Sequence, residues 1–196
     1  MPVKAGTAID PGATRARVLA SAAQLFYDRG VHSVGVDEIA QHAGASKLTI
    51  YRHFGSKEGL VEAVLRSRSE RAHDILAARV AEEPPGPGRV LAIFDLLTRW
   101  FGEKGYRGCP VVNTAVETRA HSGAVREVPR AHLARYRELI EGLLTEAGVA
   151  APAALARQVL LLIEGAIAVT AIDGDITAGR DARDAAETLL TAALGR

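Results

Sequence analysis

The sequence predicts an all-α protein of about nine helices. Apolar residues return every three or four positions through most of the chain, the spacing of helices buried on one face. No segment alternates with the period of two that marks a half-buried strand. The breaks between periodic segments fall on Gly, Pro, Ser and Asp, which start or end helices.

The first helix is expected from Thr14 to Arg29, with Val18, Ala22, Leu25 and Phe26 on one face, Thr14 as its cap and Gly30 as its stop. A second begins at Val36 behind Gly35, carries Glu38 at the capping-box position and ends at Gly44; its apolar face is Ile39, Ala40 and Ala43. Ser46 caps a third helix, Lys47 to Phe54. Gly55 breaks it, and Ser56 with Lys57 and Glu58 opens a fourth that runs to about Ala81. Leu60, Val64, Ile75 and Leu76 are its core candidates.

The segment EEPPGPG (82–88) is the clearest internal break. A fifth helix spans 89–104, striped by Leu91, Phe94, Leu97 and Phe101, with Thr98 beside the stripe. KGYRGCP (104–110) is a loop, and Pro110 opens a sixth helix over 110–120. A seventh is expected from about Pro129 to Ala147, stopped by Gly148. Pro152 opens a very apolar eighth helix to about Ile172. DGDITAG (173–179) is a loop, and a ninth helix spans about 181–194. This organisation divides the chain into an N-terminal arm (1–12), a helix-turn-helix unit (13–57) and a larger helical domain (58–196).

Composition bounds the function. A chain of 196 residues, 48% apolar with a net charge of +1, can bury a core and is not a disordered acidic or basic tail. The single cysteine excludes an internal disulfide and suits a reducing, cytoplasmic compartment. No uncharged apolar run reaches the length of a bilayer span, so no membrane partner is expected. The first residues, with Asp10 and Pro11, lack the apolar stretch of a secretory signal. A near-neutral total also speaks against nucleic acid until it is divided. Residues 1–80 carry +3 and residues 81–196 carry −2. Two of the four lysines, Lys47 and Lys57, flank one short segment of the basic part.

That segment carries the chemistry. Two short helices joined across Gly44-Ala45-Ser46 have the helix-turn-helix layout, in which the second helix enters the major groove. On a helical wheel Ile50 and Phe54 point inward, while Leu48, Thr49 and Arg52 point outward. Tyr51 and His53 flank them, and Lys47 sits nearer the inward side with a stem long enough to reach out. Arg pairs with guanine, Thr and Leu meet the thymine methyl, and Lys, Tyr and Ser46 at the helix N-terminus suit phosphate. The spacing alone fits equally a helical hairpin with a solvated face, in a protein-interaction module without specific DNA binding.

The residues themselves narrow this. RVLASAAQLFYDRG (17–30) followed by VGVDEIAQHAGASKLTIYRHFGSKEGLVEAV (34–64) resembles the DNA-binding domain of the TetR/AcrR family of transcriptional regulators. GCPVVN (108–113) is similar to a segment of one branch of that family. The resemblance implies base-reading positions at Lys47, Leu48, Thr49 and His53 and phosphate contacts at Tyr51 and Lys57; the wheel adds Arg52. Val34 and Gly35 replace the Ser or Thr often present before the second helix, leaving Ser33 as a substitute. The implied function is a ligand-responsive regulator, most simply a repressor, bound as a homodimer to a palindromic double-stranded operator. Residues 155–172, apolar on more than one face, and Ala185, Leu189, Leu190 and Ala193 are the dimer candidates.

The resemblance also implies a small-molecule pocket in the larger domain. Its candidate lining is Trp100, Phe101, Tyr106, Cys109, Asn113, Glu117 and Glu164. Glu164 interrupts LLLIEGAIAV, where a lone buried carboxylate is costly. Arg119 or Arg157 is expected to pair with it; the alternative is a cationic or hydroxylated ligand. Arg107 and Lys104 beside Cys109 can lower its pKa. Nothing in the sequence brings His121 or His132 to that cysteine, so no enzyme is expected. The six histidines show no metal-ligand spacing, and neither a metal nor a cofactor is expected.

Overall fold

A computed structural model describes residues 11–118 and 123–195. Most of the expected N-terminal arm, Arg119 and His121 lie outside the described residues. Among those described there are nine helices and no strand: α1 (Pro11–Arg29), α2 (Val36–Ala43), α3 (Lys47–Phe54), α4 (Lys57–Ala81), α5 (Gly88–Phe101), α6 (Pro110–Thr118), α7 (Ala124–Glu146), α8 (Pro152–Asp173) and α9 (Ala178–Ala193).

The helices form two packing groups joined by α4. Helices α1, α2 and α3 pack on one another, and α1 and α3 also pack on α4. Around Ile39 and Ile50, both fully buried, gather Val18, Ala22, Phe26, Val34 and Leu60. Farther along, α4 packs on α5, α6 and α7, and α8 lies against α5, α7 and α9. Phe94, Ile93, Ile140, Leu144, Ala156 and Val159 fill that second part of the core.

Helix boundaries depart from the local reading where packing outweighs local signals. Helix α1 begins at Pro11, which takes two residues from the expected arm; Pro at a first helical position has no N–H to leave unpaired. Thr14 is therefore not a cap. It lies buried inside the helix, its hydroxyl accepting from Arg17 at 3.3 Å. Glu38 does not close a capping box but pairs with Arg29. Helix α5 ends at Phe101, three residues before the expected Lys104. Helix α7 starts at Ala124 and keeps Pro129 inside, because this extra turn carries Val128 into the core. Helix α9 starts at Ala178, and Thr98 of α5 turns its hydroxyl to the Phe94 carbonyl at 2.9 Å.

By length and mean hydropathy, 1.8 over 18 residues, helix α8 is apolar enough to cross a bilayer, although it is not the uncharged run that the sequence lacks. It carries Arg157 and Glu164, and Leu155, Val159, Ile163 and Ile167 bury one face among α5, α7 and α9. Its opposite side exposes Leu161 (72%) and Ile172 (82%).

Candidate nucleic-acid interface and ligand cavity

The α2–α3 pair is set by local chemistry. Asp37 and Glu38 lie in the first turn of α2, where acidic charge suits the helix dipole. Gly44 ends α2 at φ +60, a left-handed conformation that disfavours a β-carbon. Two residues later the Ser46 hydroxyl accepts the Thr49 N–H at 3.0 Å and caps α3. Ser56 caps α4 in the same way through Gly59 N–H, also at 3.0 Å. Ile50 is fully buried and Phe54 half-buried, so α3 is fixed in rotation by its inward pair.

The opposite face of α3 is turned to solvent. Leu48 is 70% exposed, Tyr51 43%, and Arg52 is exposed with no hydrogen-bond or ion-pair partner among the described residues. His53 is half-buried with its ring edge toward Phe54. Four predicted contact residues, Ser46 with its cap among them, are already engaged. Lys47 pairs with Asp37 at 2.6 Å, Thr49 shares a 2.8 Å hydrogen bond with the Ser46 hydroxyl, and the Lys57 ammonium donates to the Val31 carbonyl at 2.7 Å. An ammonium has three donors, so Lys57 keeps capacity for phosphate. Val34 is fully buried and Gly35 has no side-chain cap, whereas Ser33 is exposed beside them.

The predicted ligand residues separate into three groups. Trp100, Cys109 and Glu164 line a cavity of about 380 Å³ between α4, α5, α6, α7 and α8. Its walls include Leu76, Ile93, Leu97, Ile163 and Ile167. Phe101 and Tyr106 do not line it. Phe101 is buried behind the wall, stacked at 5.1 Å on Tyr106, whose hydroxyl donates to the Ile167 carbonyl at 3.0 Å. Asn113 and Glu117 lie elsewhere, lining a smaller depression of about 230 Å³ between α1, α4 and α6.

That second place joins the two packing groups. Glu117, in the last turn of α6, accepts the backbone N–H of Val31 at 3.0 Å and of His32 at 2.7 Å. A carboxylate at a helix C-terminus opposes the dipole, so its partners on the α1–α2 turn supply the reason for its place. Gly30 makes the approach possible: a β-carbon there would lie 2.8 Å from Glu117 Oε1, and its φ of +82 excludes most other residues. Tyr27 adds a second tie, accepting from Arg107 N–H at 2.7 Å and donating to the Gly108 carbonyl at 3.3 Å. Asn113 steadies the same loop through the Arg107 carbonyl at 2.7 Å.

The cavity holds residues that sequence reasoning missed: Arg68, Arg71, Leu96, His132 and Tyr136. Ile75, expected in the core, is 46% exposed and contributes to the cavity wall. The signal was present as Ser69 with His73 and His132 with Tyr136, each pair four apart on one helix face. Across the α4–α7 contact the Ser69 hydroxyl meets His132 Nδ1 at 2.9 Å, and His73, His132 and Tyr136 stack with centroids 4.4–5.0 Å apart. Burial holds the His132 pKa down at about 4, so its ring is neutral at neutral pH. Cys109 Sγ lies 3.7 Å from His132 Nε2. Burial raises its pKa to about 11, which reverses the expected lowering by Arg107 and Lys104.

Glu164 also departs from expectation. Arg157 is exposed and does not pair with it, and no hydrogen bond or ion pair reaches its carboxylate among the described residues. Burial alone raises its pKa to about 6. The dimer candidates divide as well. Leu190 faces the chain's own core and Ala185 and Leu189 are half-buried, whereas Ala193 is exposed, as are Thr188, Thr191 and Ala192.

Comparison with known proteins agrees with this geometry. Residues 18–64 match the family model of bacterial regulatory proteins of the tetR family, and residues 88–191 match that of the transcriptional regulator LmrA/YxaF-like C-terminal domain. The chain is 50% identical over 52 residues to the HTH-type transcriptional activator FasR of Mycolicibacterium smegmatis, covering 26% of this chain and 24% of that protein. It is 34% identical over 117 residues to the HTH-type transcriptional regulator TtgR of Pseudomonas putida, covering 54% and 55%. The matches thus span about a quarter to about half of these curated relatives. Solved structures align more fully. A TetR-family transcriptional regulator from Streptomyces coelicolor superposes with a TM-score of 0.87 at 27% identity, over 93% of this chain and 96% of that one. A TetR transcriptional regulator from Chloroflexus aurantiacus gives 0.76 at 26%, over 92% and 96%.

Proposed function

Because the chain belongs to the TetR family of bacterial regulatory proteins, we propose that it is a cytoplasmic, ligand-responsive transcriptional repressor that binds a palindromic operator as a homodimer. The observation that carries the reading is the outward face of α3. Leu48, Tyr51 and Arg52, the last without a partner among the described residues, stand exposed on a helix whose rotation is fixed by Ile50 and whose start is capped by Ser46. Leu48, Thr49, Arg52, His53 and Lys47 read base edges. Tyr51, Lys57 and Ser46 hold phosphates, with Ser33 in place of the missing hydroxyls at 34 and 35. The boundary between the reading head (13–57) and the regulatory domain (58–196) falls at the start of α4, which belongs physically to both.

Two copies supply what one head lacks. One bidentate base contact gives only about 1–3 kcal/mol of discrimination, so a second head doubles a modest reading. The exposed Leu161 and Ile172 of α8, beside Thr188, Thr191 and Ala192 of α9, support a four-helix interface between copies. The cavity between α4, α5, α6, α7 and α8 takes the effector, and the Glu117–Val31/His32 tie transmits its presence to the head. Selection of bound duplexes from a random pool, with sedimentation of the complex, tests this. An inverted repeat bound by two chains is expected; bound DNA without a shared motif, or one chain on one half-site, would refute it.

A further inference from the structure

Taken as the effector site, a reading on which this inference rests, the cavity narrows the class of molecule it accepts. Its walls are mostly aliphatic and aromatic, the lining of a site for a small organic molecule. Among the charged and polar groups of that lining, the Glu164 carboxylate and the Tyr136 hydroxyl are withdrawn from solvent and have no hydrogen-bond or ion-pair partner among the described residues, whereas Arg71 and Glu103 are exposed. Glu164 is mostly buried on α8, and no arginine or lysine among the described residues pairs with it. Two arginines share the lining. Arg68 donates to the Ala23 carbonyl at 3.5 Å and lies 5.9 Å over the Tyr27 ring, on the α1 side, and Arg71 is exposed. A carboxylate withdrawn from water with no counter-charge is costly to keep. Burial raises its pKa to about 6, yet that still leaves it ionised at neutral pH. An anion in an apolar cavity selects a cation, and the aromatic rings of Trp100 and Tyr136 in the same lining favour the same charge.

We propose that the effector is an apolar molecule carrying a protonated amine, its ammonium on the Glu164 carboxylate and its hydrocarbon body against the walls around Trp100, Leu97 and Ile93. The Tyr136 hydroxyl accepts a further N–H of the same amine. A hydrogen bond to a charged group contributes about 1.5–3 kcal/mol, so removing the charge should weaken binding about tenfold or more.

Trp100 is the single tryptophan of the chain and lines the cavity, which gives a direct optical readout. The full-length protein is titrated at neutral pH with three probes of one skeleton: para-tert-butylbenzylamine, para-tert-butylbenzyl alcohol and para-tert-butylbenzoate. Trp100 fluorescence and calorimetry monitor binding. The amine is expected to bind about tenfold tighter than either other probe. Glu164→Gln should remove that advantage while leaving the alcohol within about twofold. Benzoate binding tightest would overturn the amine class in favour of the arginines, leaving the effector cavity intact. Equal binding of all three, or an amine indifferent to a folded Glu164→Gln, would overturn it in the same way. No heat and no fluorescence change with any probe would overturn the cavity reading as well. The ranking on the unmodified protein decides the matter even where Glu164→Gln does not fold.

Discussion

Replacing Glu117 with Ala removes the tie between α6 and the DNA-reading head. The carboxylate accepts two backbone N–H groups, at 3.0 and 2.7 Å. The two do not weigh equally. His32 is exposed, so water replaces the lost acceptor, whereas Val31 is 6% exposed and its N–H is left largely unsatisfied. An orphaned buried donor costs about 1–3 kcal/mol. For a domain of this size each kcal/mol moves Tm by about 2–4 °C, so a fall of about 2–12 °C is expected by calorimetry. Hydrogen exchange should speed at the Val31 amide, with the α3 amides changing far less. Glu117→Gln keeps one acceptor and should fall between the two proteins. Allosteric coupling is typically about 1–3 kcal/mol, the same size as this tie, so Glu117→Ala should also blunt any effect of a cavity ligand on DNA affinity. An unchanged Tm together with unchanged Val31 exchange would show that the Glu117 carboxylate does not hold the α1–α2 turn.

The same geometry sets other expectations. Ser46→Ala removes the α3 cap and should lower stability by about 1 kcal/mol, read by thermal unfolding; an unchanged Tm would deny the cap its role. Arg52→Ala and Leu48→Ala alter exposed side chains and should change stability by no more than about 0.5 kcal/mol while weakening operator binding in a titration. The His132 pKa is depressed from 6.5 to about 4 in the folded chain, so the unfolded chain binds the proton first. That contribution is full above pH 6.5 and is lost as pH falls toward 4. Glu164, raised from 4.5 to about 6, acts with the opposite sign between those values. His132→Asn should therefore make the melting temperature less sensitive to acid below pH 6.5 than it is in the unmodified protein.

The reading head was legible in the sequence because everything that shapes it is local. Gly44, Ser46, Ile50, Phe54 and Gly55 lie within twelve residues; Gly44 ends α2, and the other four set the start, rotation and stop of α3. The cavity was only partly legible because its lining comes from five helices and the loop before α6, with residues as distant as Arg68 and Ile167. Trp100, Cys109 and Glu164 stood out by type, but periodicity places a side chain on a face without saying which neighbour that face meets. Phe101 and Tyr106 looked like ligand contacts and instead pack behind the wall, and Glu117 proved to hold the head. The misplaced start of α7 has a related cause. Pro129 reads locally as a beginning, yet burial of Val128 winds one more turn before it.

On this reading α3 reads DNA through a locally basic face on a nearly neutral chain. The most direct test is the affinity of the full-length protein for a selected duplex, measured from about 50 to 200 mM salt. Phosphate contacts by Lys57, Tyr51 and the α3 N-terminus predict a linear fall of log affinity with log salt, with a slope shallower by about one after Lys57→Ala. An affinity that stays flat across that range would contradict that reading.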